Sequence, residues 1–204
     1  IVSRAPLTRA AMRPAPEGVL TPLAIKRRWA ARDYQEVINY SFVAARDDAR
    51  FGDGVRPIRL LNPIAENLDV MRTTLWSGLL ANLVHNLNRK ADRVRIVELG
   101  RAYLPAPQQP DSALAVGGVA QPLRLAALAY GPAVEDQWGL APRVADFFDL
   151  KGDLQAAHPE VPFAFRPEPH PALHPGQSAR ILDAMSEPIG WIGSLHPRLA
   201  EALD

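Results

Sequence analysis

No cysteine occurs anywhere in the 204 residues. That excludes a disulfide scaffold, a zinc-thiolate centre and a cysteine nucleophile, and it fits a reducing, cytoplasmic setting. Lysine is nearly missing as well: Lys26, Lys90 and Lys151 are the full set, so arginine carries almost all the positive charge. Lys+Arg at 23 against Asp+Glu at 22 leaves a net charge of +1, and the arginines are scattered, which argues against a general polyanion-binding surface. No apolar run approaches the ~20 residues needed to span a bilayer, and Ile1–Arg13 lacks the pattern of a secretory signal. Serine-nucleophile, glycine-rich phosphate-loop and dinucleotide fingerprints are missing too; the segment Gly190-Trp191-Ile192-Gly193 has too few glycines to cradle phosphate.

What remains is 48% hydrophobic residues, enough for one sizeable core without a metal or disulfide, since a chain of this length buries about 70% of its unfolded surface. The opening at Ile1 rather than Met reads as a piece of something longer. Residues 1–19, rich in Pro, Ala and Arg, read as a linker or the tail of a preceding small domain, and 20–204 as one core domain. Arg4, Arg9, Arg13, Lys26, Arg27, Arg28 and Arg32 face only Glu17 across the first 32 residues. This local excess is either a solvated face or an RNA-backbone contact.

Along the core, Thr21 as N-cap and Pro22 at the first helical position predict a helix to about Arg32. Tyr34–Val43 reads as a strand with Ile38, Tyr40 and Phe42 on one face, and Arg46–Val55 as a charged connection ending in the turn Gly52-Asp53-Gly54. The clearest element is a helix from about Thr74 to Lys90. Leu75, Trp76, Leu79, Leu80, Leu83, Val84 and Leu87 fill one half of its cylinder, with Ser77, Asn82, His85, Asn88 and Arg89 on the other. Strands are predicted at Val94–Tyr103 and Leu123–Tyr130 around a loop or hairpin tip at Ala106–Gln121. A helix follows at Arg143–Ala157, with Phe147 and Phe148 read as core. Strands at Phe163–Arg166, Ala179–Ala184 and Ile189–Gly193 and a last helix capped from His196 complete an α+β fold built on an antiparallel sheet.

Candidate chemistry is sparse. His170 and His174 stand four apart, but His158, His170, His174 and His196 each precede proline, which pushes them out of helical backbone and removes the helical-face argument for a metal site. Asp146, Asp149 and Asp153 recur at i, i+3 and i+7, a pattern that either seats magnesium through water or, for the first two, complements a helix start while Asp153 is solvated. Glu98, flanked by Val97 and Leu99 on a strand, needs a cation if buried, and Arg72 or Arg101 can supply one; the pair is either a catalytic remnant or an internal salt bridge. From residue chemistry alone, no catalytic, cofactor-binding or metal-binding residue is assigned.

Six segments taken together carry a resemblance: RDYQEVINYSFV (32–43), LLNPIAENLDVMRTTLWSGLLANLVHNLNRK (60–90), RVRIVELGRAY (93–103), DFFDLKGDL (146–154), LHPGQSARI (173–181) and IGWIGSLHP (189–197). In this order they resemble the central region of bacterial phenylalanyl-tRNA synthetase beta subunits. The resemblance implies a class II aminoacyl-tRNA synthetase-like antiparallel sheet flanked by helices. It also implies a place in an ATP- and magnesium-dependent cytoplasmic ligase that charges tRNA-Phe with phenylalanine, as an α2β2 heterotetramer whose alpha subunit holds the working site. Residues 21–43 match the first class II motif, which builds subunit interfaces, and Arg93–Tyr103 match the strand of the second.

A working second motif continues to an arginine that grips ATP phosphates, yet Leu104-Pro105 follow Tyr103 here. The third motif belongs after residue 197 and is expected to lie beyond Asp204. The resemblance therefore implies a non-catalytic domain binding neither ATP nor magnesium, with Arg72, Glu98 and Arg101 as the degenerate site. Leu23, Trp29, Tyr40, Trp76, Leu80 and Val84 are the candidate interface with the alpha subunit. The alternatives are a cryptic class II enzyme and an RNA-binding module using the basic N-terminal segment.

Overall fold

The computed structural model describes residues 20–51, 54–112 and 115–202. The proposed linker at 1–19 and part of the Gly52-Asp53-Gly54 turn lie outside the described residues.

Helix α1 spans Pro22–Ala30; the Thr21 hydroxyl accepts from the Ala24 amide and proline fills the first turn, as the sequence predicts. The chain then runs into β1 (Gln35–Glu36), which lies parallel to β4 (Val94–Arg101). The long strand expected over Tyr34–Val43 is broken: β1 stops after two residues and β2 (Phe42–Val43) pairs instead with β3 (Val70–Met71). Between them Ile38 and Tyr40 do share a face, but it points to solvent, at 87% and 77% exposure.

Residues 45–51, read from sequence within a charged connection, form helix α2 (Ala45–Phe51). Only Asp48 and Phe51 of this short helix are buried, too few to print an apolar stripe on the sequence. Its start is capped from a distance, with the Asp69 carboxylate accepting from the Ala45 amide at 2.9 Å.

Helix α3 (Trp76–Leu87) carries the main core on its leucine face: Leu79, Leu80 and Leu83 pack with Phe51, Val94, Ile96 and Ala172. Ser77, assigned by projection to the solvent half, is buried as well. The hairpin of β4 and β7 (Leu123–Tyr130) is antiparallel and in continuous register from Val94↔Tyr130 to Arg101↔Leu123. Gly131 follows β7 at the open end of that hairpin with φ +83°, where an added Cβ would collide with the Asp92 carbonyl. Within the hairpin's long loop, β5 (Leu104–Pro105) and β6 (Val119–Ala120) form a small ladder of their own.

Helix α4 (Phe147–Ala157) begins four residues later than the sequence reading. Asp146 is its N-cap and forms a reciprocal capping box with Asp149, while Val144 is held in an isolated bridge to Pro132. Phe148, read as core, is 72% exposed. A second core of Trp29, Tyr34, Val97 and Ala157 joins α1, β4 and α4. The C-terminal sheet is antiparallel in the order β10 (Pro188–Leu195), β9 (Leu173–Leu182), β8 (Ala164–Pro167), and α5 (Pro197–Glu201) follows with His196 as its cap.

The fold is thus α+β. Among the described residues the single antiparallel sheet expected is divided into two three-stranded sheets and two two-stranded ladders, with one parallel pair, β1 and β4. Among the described residues β7 and β10 are edge strands of the two larger sheets, and an apolar groove of roughly 370 Å³ lies between them, floored by α3. No helix among the described residues is long and apolar enough to cross a membrane.

Candidate functional site

Strand alternation places Glu98 on the α3 side of β4, together with Val94 and Ile96, and there it is 2% exposed. A carboxylate this deep must be fully partnered. Arg72, itself 4% exposed, donates from Nη1 to Glu98 Oε1 at 2.6 Å and from Nε to the Arg101 carbonyl at 2.9 Å. The other Glu98 oxygen accepts from Asn39 Nδ2 at 2.8 Å, and Asn39 Oδ1 accepts from Asn82 Nδ2 of α3 at 2.8 Å.

The chain makes room for this cluster with glycine. A Cβ at Gly100 would run into the Arg72 guanidinium, and one at Gly78 would stand 2.9 Å from three side-chain atoms of Asn39. Arg101 shares the cluster only through its backbone carbonyl. Its guanidinium turns to the exposed side and donates to the Gln121 carbonyl at 2.7 Å. The structure therefore brings Arg72 and Glu98 together and leaves the Arg101 side chain outside.

A second charged cluster lies on the opposite face of β4. Asp153, expected in solvent, is 4% exposed. One of its oxygens accepts from Arg32 Nε at 2.9 Å and Nη2 at 2.5 Å, and the other from Arg95 Nη1 at 2.7 Å and the Tyr34 hydroxyl at 2.9 Å. Burial first, and the Asp153 carboxylate second, push the Tyr34 hydroxyl far above its ordinary range, so it stays a donor. Removing one member of such a buried ion pair typically costs about 3–5 kcal/mol, because the remaining charge is stranded. Beside it Arg143 pairs with Asp149, and that hydrogen bond is the main reason the Asp149 carboxyl titrates at about 2.

The four histidines that precede proline each make a hydrogen bond within the fold. His170, His174 and His196 each accept at Nδ1 from the amide two residues on, at 3.1, 3.1 and 3.2 Å, closing a turn across the intervening proline. An Nδ1 engaged in this way is not available to a metal. His158 accepts at Nε2 from the Trp29 indole at 3.1 Å, and burial lowers its pKa below the ordinary 6.5. Among the described residues no group of three or more His, Cys, Asp or Glu could hold a metal ion.

The candidate interface residues divide. Leu23 and Tyr40 are exposed, at 56% and 77%. Trp76 and Val84 are half-buried and, with Leu80, line the groove between β7 and β10. Trp29, at 2%, is consumed inside the chain, edge-on to Tyr34 with ring centroids 4.9 Å apart, and Leu80 is buried at 6%. Sequence reasoning missed Asn39 and Asn82. The local pattern gave the opposite signal, since a polar Asn39 alternating with Ile38 and Tyr40 reads as the outward residue of the three.

The whole sequence, residues 1–204, matches the family described as the phenylalanyl tRNA synthetase beta chain CLM domain. The chain belongs to that family. A phenylalanine–tRNA ligase beta subunit from Burkholderia pseudomallei strain 1710b is 51% identical over 201 residues, covering 98% of this chain. The corresponding subunit from Bordetella bronchiseptica is 48% identical over the same length. In both cases the alignment covers 25% of the relative, so the chain spans about a quarter of the length of these curated relatives. Among solved structures, a pyrrolysyl-tRNA synthetase from Desulfitobacterium hafniense is similar over 78% of this chain and 50% of its own, at 12% identity and a TM-score of 0.48. Within the CLM-domain family, then, this member buries its Glu98–Arg72 pair among amide and carbonyl partners. Both Glu98 oxygens are engaged, as are Nε and Nη1 of Arg72.

Proposed function

We propose that this chain is the core of a phenylalanine–tRNA ligase beta subunit and serves as a non-catalytic scaffold, a degenerate class II synthetase-like domain packed on the alpha subunit. The protein it belongs to would charge tRNA-Phe with phenylalanine, using ATP and magnesium at a site on the alpha subunit, in an α2β2 heterotetramer in the cytoplasm. Family membership supports the setting. The observation that supports the scaffold role is the burial of the Glu98–Arg72 pair: both carboxylate oxygens and two of the three guanidinium nitrogens are engaged with each other, Asn39 and the Arg101 carbonyl. A phosphate-gripping arginine must present its donors to the ligand, and Arg72 is 4% exposed. At the positions after Tyr103 where the resemblance calls for that cation, Leu104-Pro105 form β5 instead.

Leu23, Ile38 and Tyr40 supply the packing surface, being large apolar side chains more than half exposed. The RNA-binding alternative gains little from the described part of the basic segment, where Arg27 is exposed without an ion pair among the described residues. Lys26, Arg28 and Arg32 are paired with Glu36, Glu160 and Asp153.

Calorimetric titration of the full-length beta subunit with ATP and phenylalanine should give no binding heat attributable to this domain, and Tyr40→Ala should weaken co-elution with the alpha subunit. Micromolar ATP binding that is lost on Arg72→Ala would replace the scaffold reading with a cryptic enzyme.

A further inference from the structure

Ile38 and Tyr40 point outward because the residue between them is tied inward, and the tie is the cluster that resemblance marks as a degenerate active site. Past β1 the chain keeps one more backbone bond to β4, from the Val37 amide to the Val97 carbonyl at 2.9 Å. It rejoins other backbone at Ser41, whose carbonyl accepts from the Arg72 amide at 3.0 Å. Between these anchors the hold is Asn39. Its backbone amide and side-chain Nδ2 donate to the two oxygens of Glu98 at 3.4 and 2.8 Å, and its Oδ1 accepts from Asn82 Nδ2 of α3.

In extended backbone neighbouring side chains alternate, so pinning Asn39 inward fixes Ile38 and Tyr40 outward as a pair. Two features mark the pin as built. Glu98 is held in one orientation by a buried arginine, and both surfaces that meet the cluster are opened by glycine, Gly78 against Asn39 and Gly100 against Arg72.

We infer that Glu98, Arg72 and Asn39 are positioning residues for the subunit interface, holding residues 38–40 in the conformation that docks. This rests on the proposal that Ile38 and Tyr40 pack on the alpha subunit. Preorganising a contact segment lengthens the life of a complex, because the ordering cost is met before association. The former nucleotide-side cluster thus has present work in assembly.

Two variants of the full-length beta subunit, paired with its alpha subunit, test this. Glu98→Gln keeps the size but replaces one acceptor oxygen with a donor amide facing Arg72 or Asn39. Gly78→Ala crowds Asn39 from α3 and leaves the ion pair intact, so it serves if Glu98→Gln folds poorly. Each should speed dissociation of the complex by about tenfold, in the range of a lost interface anchor. Neither should add anything when Ile38 and Tyr40 are already alanine, since coupled sites are non-additive. If the Ile38→Ala, Tyr40→Ala pair leaves the lifetime unchanged, the docking reading itself is wrong. If that pair shortens it while Glu98→Gln and Gly78→Ala do nothing, or act with full additivity on the alanine background, the docking reading stands and the positioning role is overturned.

Discussion

His158 shows how one residue can record the packing of three elements. It follows α4 as its C-cap, accepts a hydrogen bond from Trp29 of α1, and sits edge-on to Phe163 ahead of β8. Desolvation lowers its pKa below 6.5, outweighing the opposing pull of Glu160. The folded protein therefore favours the neutral ring, and the unfolded chain takes up its proton at higher pH. The stabilisation is complete above the unfolded value of 6.5 and is lost as pH falls through the lower folded value. The urea midpoint should accordingly drop between pH 7 and pH 5, and His158→Phe should remove that part of the slope. Sequence could place this histidine in non-helical backbone, from the proline that follows it. It could not supply the tryptophan that donates to it, 129 positions away. Asp153 was misplaced for a related reason: its partners Arg32, Tyr34 and Arg95 come from two distant segments, and a lone acid on a helix reads as solvated until they arrive.

Among the elements, those with many residues on one periodicity were legible and those fixed by a few tertiary contacts were not. The leucine face of α3 and the eight-residue strand β7 stand where the pattern puts them. Helix α2 was hidden because Asp48 works from inside, with its carboxylate accepting from the Thr73 amide and hydroxyl at 2.9 and 2.7 Å. The start of α4 was read four residues early because Val144 continues the apolar rhythm into extended backbone. The true boundary is the capping box, and its strength is measurable. Asp146→Ala removes the acceptor for the Phe148 and Asp149 amides and should destabilise the domain by about 1 kcal/mol in urea unfolding. Asp146→Asn should recover most of that loss, since the amide oxygen can still cap.

At the scale of the molecule, the α+β class was legible, while the division into separate sheets was not, because strand composition does not say which edges stay apart. The candidate site was legible as the Glu98–Arg72 pair and illegible in its purpose, which depends on Asn39 and on two glycines whose lack of a side chain has meaning only in three dimensions. The groove between β7 and β10 has one more practical result. Along each wall runs a row of amide and carbonyl groups with no ladder partner among the described residues, above a floor of leucine. Such a rim is a template for any extended polypeptide that meets it. Purified on its own, this chain should zip onto its own copies, its sedimentation coefficient climbing with concentration. A lysine replacing Tyr130, a groove-lining residue that is 43% exposed, should hold the species small.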